Sequence, residues 1–424
     1  MSNKRVPSLK EQSIWNLASG FLAAMETIVM TMAVNRVIDI EASGEITIAF
    51  ALGNMFRTIG LWGTRNYHVS DQKEEYSYGD YLRTRLFCIF LMILVVISYL
   101  SFSFFAENTS IHKLLVIMII EIVFEVECYE DVIWGEYQRH GRIDIGAKLF
   151  LIRWGSFLST FVLMVIATKQ LLPSLIVSLV VSLAVFFTVV TVRVKLPVDH
   201  SDNRKGIFIN KKQKELLLKT APLFLVAFFT FFLNNVAKYS LDRYFDLGLQ
   251  ACFGFITLPT FAVEMISGFI YQPRLAGTSA YYLNHQKKIF WIEISRQMGM
   301  IILITIICSV AAWLIGTPVL STVFSTDLSL YRTDLLLNVI GGGAMAFGMY
   351  LSALLTIMRR QRMQLLIYGI SALGGGIFVW EAVRRFGIRG GSIGNLAVYT
   401  FLSVLLFIVF IVFFFKDGKK NHSK

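Results

Sequence analysis

The sequence predicts an all-α polytopic membrane protein, with about twelve transmembrane helices in two pseudo-symmetric six-helix lobes around a central cavity. Three observations carry this. Of 424 residues, 55% are hydrophobic and only 16% charged, and the apolar ones gather into runs of roughly 18 to 25, enough to cross about 30 Å of hydrocarbon as helix. Basic residues crowd alternate connections. The longest connection falls near the middle and is flanked by related short motifs.

Lipid offers no partner for a free backbone N–H, so each run is expected to be an α-helix. The alternating ten-residue pattern of a β-barrel is missing. Residues 14–35 form the first span, because the run is too long for a signal-peptide core and lacks a small-residue cleavage site. Further runs follow at 44–66, 81–106, 113–137, 149–168 and 173–192. After the long connection come 217–238, 248–271, 291–315, 333–356, 364–382 and 391–415. Cys88, Cys128, Cys252 and Cys308 each sit inside a run and form no CxxC pair. They read as small buried hydrophobes, with neither a disulfide framework nor a metal site implied.

Orientation follows from Lys and Arg. Lys4, Arg5 and Lys10, the pair Arg139 and Arg142, the series Arg193, Lys195, Arg204, Lys205, Lys211, Lys212 and Lys214, then Lys287, Lys288, Arg359, Arg360, Arg362 and the tail lysines 416, 419, 420 and 424 all fall on one side. About thirty basic residues against about nine put that side, and both termini, in the cytoplasm. One connection disagrees, with Arg384, Arg385 and Arg389 falling outside. The net charge of +12 thereby meets anionic membrane lipid, and no nucleic-acid partner is needed.

The domain plan is an N-terminal lobe over 1–195, a cytoplasmic inter-lobe loop over 196–216, a C-terminal lobe over 217–415 and a basic tail over 416–424. Arg36-Val-Ile-Asp39 follows the first span and Arg243-Tyr-Phe-Asp246 the seventh; Arg65 and Arg274 close spans two and eight after nearly the same interval. Repeated bundles of this kind enclose a central cavity.

Charges inside the bilayer are the candidate functional residues, because each costs several kcal/mol unless it meets a partner or a cavity. They are Glu26 in span one, Arg57 in span two, Glu121 and Glu125 on one face of span four, Lys238 at the end of span seven and Glu264 in span eight. Glu127, Glu130 and Asp131 lie further along span four. One reading is structural, acid–base pairs that hold helices together. The other is a transport path, in which Arg57 binds an anion through its fork of donors and a carboxylate takes up H⁺ or Na⁺. Arg57 and Glu264 each lie 21 residues beyond the paired arginines 36 and 243, so Glu264 either neutralises Arg57 in the empty protein or lies at a lobe interface, protonated or paired with a different base. There is no GxxxxGK[ST] or HExxH, and the six histidines lie near interfaces or in loops. Neither an enzyme nor a cofactor is expected.

Three segments carry a resemblance. Gly63-Thr-Arg65 through Asp71 with Glu75 through Tyr81, then Tyr129 to Arg153, then Lys238 to Tyr244 leading into Phe253 to Pro259, resemble bacterial polysaccharide repeat-unit flippases of the Wzx type. They cover about a fifth of the chain. Ala237 stands where such flippases lead one to expect a proline, which questions a break at the end of span seven. The resemblance implies the MOP superfamily fold shared with MATE exporters and a bacterial cytoplasmic membrane. It also implies an undecaprenyl-pyrophosphate-linked oligosaccharide as substrate, moved from inner to outer leaflet for surface polysaccharide synthesis. By position it implies Arg57, then Arg153 and Lys238, as the cations that hold pyrophosphate. Two alternatives stay open, a MATE-like exporter of small organic cations and an integral-membrane glycosyltransferase or polymerase.

Overall fold

The computed structural model describes residues 8–71, 75–193 and 210–420. Lys4, Arg5, Lys195, Arg204, Lys205 and Lys424, and most of the segment 196–216, lie outside the described residues. Among the described residues every regular element is a helix. In order these are α1 (Leu9–Val37), α2 (Ile40–Leu61), α3 (Thr64–Ser70), α4 (Tyr78–Glu107), α5 (Ile111–Arg139), α6 (Ile143–Thr168), α7 (Leu171–Arg193) and α8 (Lys211–Tyr244). Then come α9 (Leu247–Tyr271), α10 (Leu275–Leu283), α11 (Lys287–Ala311), α12 (Thr317–Phe324), α13 (Arg332–Ile357), α14 (Gln361–Ile370) and α15 (Gly376–Lys420).

Nine stretches among these residues are long and apolar enough to cross a membrane. Charged and polar side chains keep α2 and α5 below that mark. The last stretch holds two spans, because α15 turns at Gly387 (φ 54, ψ −131). Counted this way the described residues hold twelve spans. The second span ends earlier than the sequence predicts, at Leu61. Trp62 (φ 45) and Gly63 (φ 63) both adopt the left-handed conformation there, and residues 64–66 belong to the separate helix α3.

The chain forms two compact units, Met1–Phe228 and Phe229–Lys424, dividing within α8. In the first, α2 packs on α4 and α5, α5 on α7, and α1 on α6. In the second, α9 packs on α11 and α13, and α13 on the end of the chain in α15. The two units thus repeat one packing order. Each also places a short helix, α3 or α10, directly after its second span. The paired motifs have one local role in both. Asp39 caps α2 by accepting from the Ala42 N–H at 2.7 Å, and Asp246 caps α9 from the Leu249 N–H at 2.7 Å, satisfying a donor that has no partner inside the helix.

The glycines within spans serve close packing. A Cβ on Gly342 of α13 would meet the Thr260 carbonyl oxygen of α9 at 2.8 Å, and one on Gly341 would meet Leu396 backbone at 3.4 Å. In the first unit a Cβ on Gly60 would lie 2.6 Å from Cys128 Sγ, so α2 and α5 approach until their polar residues touch.

The turn that breaks the charge rule is part of this architecture. Arg385 pairs with Glu381 at 2.5 Å, Arg384 with the same carboxylate at 3.6 Å, and Arg389 with Asp334 at the start of α13 at 3.4 Å. Each of the three arginines thus meets a carboxylate within its own unit.

The first half of α8 is fastened to the first unit. Trp62 Nε1 donates to the Leu217 carbonyl at 3.1 Å and its ring stacks on Phe224 at 4.1 Å. Lys219 reaches Glu75 at 3.0 Å and lies over Tyr76. Leu216 is buried among Tyr76, Tyr81, Val132 and Ile133. Asp71 anchors the same cap. Burial alone would push its carboxyl up, but the Glu75 and Tyr76 N–H groups and the Tyr81 hydroxyl outweigh that and hold it below the usual range.

Candidate functional site: a charge ladder on α5

Helix α5 turns Glu127, Asp131, Trp134 and Gln138 to one side at spacings of three and four, and each meets a cation or a donor. Glu127 pairs with Arg57 of α2. Its other oxygen accepts from Trp154 Nε1 of α6 at 3.1 Å and lies 4.0 Å from Arg153. Asp131 accepts from Arg65 at 2.8 Å and from Arg85 of α4 at 2.7 Å. The Arg65 guanidinium lies 4.3 Å from the Trp134 ring centroid and donates to Gln138 at 2.7 Å. At the lower end Glu136 bonds His68 at 2.7 Å. One turn around the helix, Glu130 accepts from Arg153 Nε at 2.6 Å.

Arg57 and Arg153 differ in access. The Arg57 side chain is 22% exposed and lies over Phe124, whereas that of Arg153 is 1% exposed. The Arg153 Nη1 and Nη2 have no hydrogen-bond partner and neither does Trp134 Nε1. Both residues line a small cavity between α5, α6 and α7 of about 20 Å3, room for one water and no more. Arg57 is therefore the more accessible of the two, with Arg153 buried against Glu130.

Of the sequence candidates, Glu26, Arg57 and Arg153 come together. Glu26 is 5% exposed, and Arg57, Glu127 and Arg153 are the charges that act on it. Its Oε1 has no hydrogen-bond partner. Glu121 is 1% exposed with neither carboxylate oxygen bonded, and Glu125 stands one turn on, both away from the ladder. Lys238 and Glu264 belong to the second unit. Lys238 donates to Asn235 Oδ1 at 3.2 Å. Glu264 has Tyr271, Tyr368 and Tyr399 as the tyrosines it acts on. Arg57 takes a carboxylate from α5 of its own unit, Glu127. Ala237 is buried and α8 continues through it to Tyr244 without a break.

No family model matches the chain, and no curated protein matches it in sequence. Solved structures do match over nearly its full length. An inward-facing multidrug-resistance MATE transporter of the MOP superfamily aligns over 93% of this chain and 96% of its own, at 14% identity and a TM-score of 0.72. The lipid II flippase MurJ, in an inward closed conformation, aligns over 94% of this chain and 87% of its own, at 14% identity and 0.65. A MOP superfamily transporter from Pyrococcus furiosus, reported for a binding pocket of reversed polarity, aligns over 95% and 94%, at 14% identity and 0.56. The chain has the fold of the MOP transporters.

Within that MOP fold, sequence reasoning missed two members of the ladder, Arg85 and Trp154. Arg85 is 1% exposed and also donates to the Gly60 carbonyl at 2.8 Å. A search for arginines one turn inside a span would have found it. The sequence places Glu127 and Glu130 along span four without giving them partners, and Trp154 does not stand out in it. An indole N–H buried in lipid requires an acceptor, which is the signal that ties Trp154 to an acid.

Proposed function

We propose that this transporter is a flippase that carries an undecaprenyl-pyrophosphate-linked oligosaccharide from the inner to the outer leaflet of the bacterial cytoplasmic membrane. It would work by alternating access, in the synthesis of surface polysaccharide. The observation that carries this reading is Arg57, a permanently charged and part-exposed guanidinium inside a span, backed by the buried Arg153. A guanidinium fork matches phosphate oxygens in two-point contact and keeps its charge at any biological pH. A cation carrier has no use for such a group in its path. The segments that resemble repeat-unit flippases support the reading, as does a lipid II flippase among proteins of this fold.

The test is Arg57→Ala in cells that depend on the protein for a surface polysaccharide. The protein accumulates in the membrane and export is lost, and Arg57→Lys restores only part of it because an ammonium lacks the two-point contact. Normal export by the alanine variant would refute the assignment.

A second reading, a MATE-like exporter of organic cations, is favoured by Glu121, buried with both oxygens unbonded and with Glu125 one turn away. Efflux of a cationic dye that fails in Glu121→Gln and persists in Arg57→Ala would select it.

A further inference from the structure

The turn between the last two spans carries the basic charges that break the sequence's asymmetry, and the structure gives two of them a common setting. Ile377, Glu381 and Arg384 follow one another along α15 at spacings of four and three, with Phe378 and Arg385 beside them, so the five share one helical face. The opposite face is packed inside the second unit. Val379 and Val383 there are fully buried, and a Cβ on Gly394 of the returning span would meet Val379 at 3.1 Å. The shared face is open. Ile377 and Phe378 are exposed on it, and Ile370 and Leu373 are exposed in the turns before them.

Trp380 marks the depth of this face. Its Nε1 donates to the Tyr244 hydroxyl at 2.9 Å, and paired Trp and Tyr of this kind settle at headgroup level. Arg384 and Arg385 come one turn later, about 6 Å further along the axis, and the Arg384 guanidinium lies 5.9 Å from the Tyr244 ring centroid. The apolar side chains thus lie on the hydrocarbon side of the belt and the arginines at the level of lipid phosphate.

Glu381 draws the two arginines together, Arg385 through Nε at 2.5 Å and Arg384 through Nη1 at 3.6 Å. A guanidinium carries five N–H donors, and one shared carboxylate occupies few of them. The two side chains remain 67% and 60% exposed. The trio has one positive charge in surplus. An apolar track that ends in two converging guanidiniums fits a lipid with acyl chains and a single negative phosphate diester.

We propose that Arg384 and Arg385, held by Glu381, bind the phosphate of an anionic phospholipid in the leaflet opposite the C-terminus, with an acyl chain along Ile377 and Phe378. With cytoplasmic termini this is the outer leaflet. The bound phosphate supplies the counter-charge for a basic turn on the side where positive charge is ordinarily scarce. A phospholipid is favoured over a pyrophosphate-linked lipid because its one charge matches the surplus, and because an open face admits whichever anionic lipid is commonest. One basic residue near such a surface shifts binding about fivefold.

The experiment places a photo-crosslinking residue at Ile377 of the full-length protein, in vesicles of one part phosphatidylglycerol to four of phosphatidylcholine. Mass spectrometry of the labelled peptide counts the lipids attached, and a second probe at Leu303, exposed in α11, reports the bulk ratio. We expect phosphatidylglycerol enriched about fivefold at Ile377 relative to Leu303. Arg384→Gln/Arg385→Gln should bring it to the bulk ratio or below. Glu381→Gln raises the surplus to two charges and should enrich phosphatidylglycerol by about a further fivefold, a gain that a merely structural ion pair does not produce. The bulk ratio at Ile377 in the unaltered protein overturns the proposal, and so does enrichment that survives the loss of both arginines. Should that double variant fail to accumulate, Glu381→Gln decides alone, and enrichment that does not rise refutes the site. Two competitors guard the choice of ligand. Loss of enrichment in millimolar inorganic phosphate would assign the arginines to a soluble anion. A polyprenyl pyrophosphate labelled ahead of phosphatidylglycerol at equal mole fraction would make this a substrate contact, and either result overturns the phospholipid.

Discussion

Arg85 offers the sharpest test of the ladder, because it is fully buried among helices and its removal perturbs their packing directly. The side chain is 1% exposed and ties together three helices, donating to Gly60 at the end of α2 and to Asp131 of α5 from its place on α4. Gly60 is among the last four carbonyls of α2, which have no partner within the helix. Arg85→Met fills a similar volume and removes both bonds. Breaking a buried ion pair from one side costs about 3–5 kcal/mol; the low end applies here, because Asp131 keeps Arg65 at 2.8 Å. For a folding unit of this size, a loss of about 3 kcal/mol lowers the melting temperature by roughly 6–12 °C. The assay is thermal unfolding in detergent followed with a thiol-reactive dye. The buried, free Cys88 and Cys128 flank the site and become reactive as the first unit opens. Removing both charges, as Arg85→Met/Asp131→Asn, should recover part of the loss. A single variant that melts with the unaltered protein would show that the ladder does not hold α2, α4 and α5 together.

Arg57→Glu and Glu127→Arg should each reduce accumulation in the membrane, and the double variant should restore it, whereas exchanging Arg57 with Glu264 should not; immunoblots of membrane fractions decide. Gly53→Leu would drive a side chain into the Phe124 ring, and overpacking of this kind costs about 1–3 kcal/mol, read as a lower melting temperature of the first unit. Asp39→Ala and Asp246→Ala each remove one N-cap and should cost about 1 kcal/mol apiece, nearly equal if the two motifs are equivalent; unequal losses in the same unfolding assay would count against the repeat. A cysteine placed at Asn210 should be shielded from an impermeant reagent in intact cells and one at Asn108 should react, and the reverse pattern would overturn the orientation.

The sequence made the helices legible because apolar run length is a property of the chain alone. The repeat was legible because Asp39 and Asp246 perform a local task, capping, that depends only on neighbours in sequence. The partner of Arg57 was not legible. Counting 21 residues in each half identifies equivalent positions in a repeat, but whether two positions touch depends on how the helices pack. Packing gave Arg57 an acid three helices on, at Glu127. Arg85 escaped because it sits just inside a span, where an arginine is ordinarily credited with reaching the headgroups; close approach at Gly60 holds it inward instead. Trp62 and Gly63 were hidden for a similar reason. An apolar run that continues through a left-handed turn looks like uninterrupted helix until the neighbouring α8 is known.

The two helices that fall short in hydropathy, α2 and α5, are the pair joined by Arg57 and Glu127. Taken singly at the translocon, each would face a penalty of about 2.5–3.5 kcal/mol for every charge near its centre. Together they present neutral pairs, with Arg85 and Arg153 arriving on α4 and α6 to complete them. The first unit should therefore leave the insertion machinery as an assembled group rather than helix by helix. Truncated nascent chains ending after α4 should be retained or degraded, while chains that include α6 should partition stably into lipid.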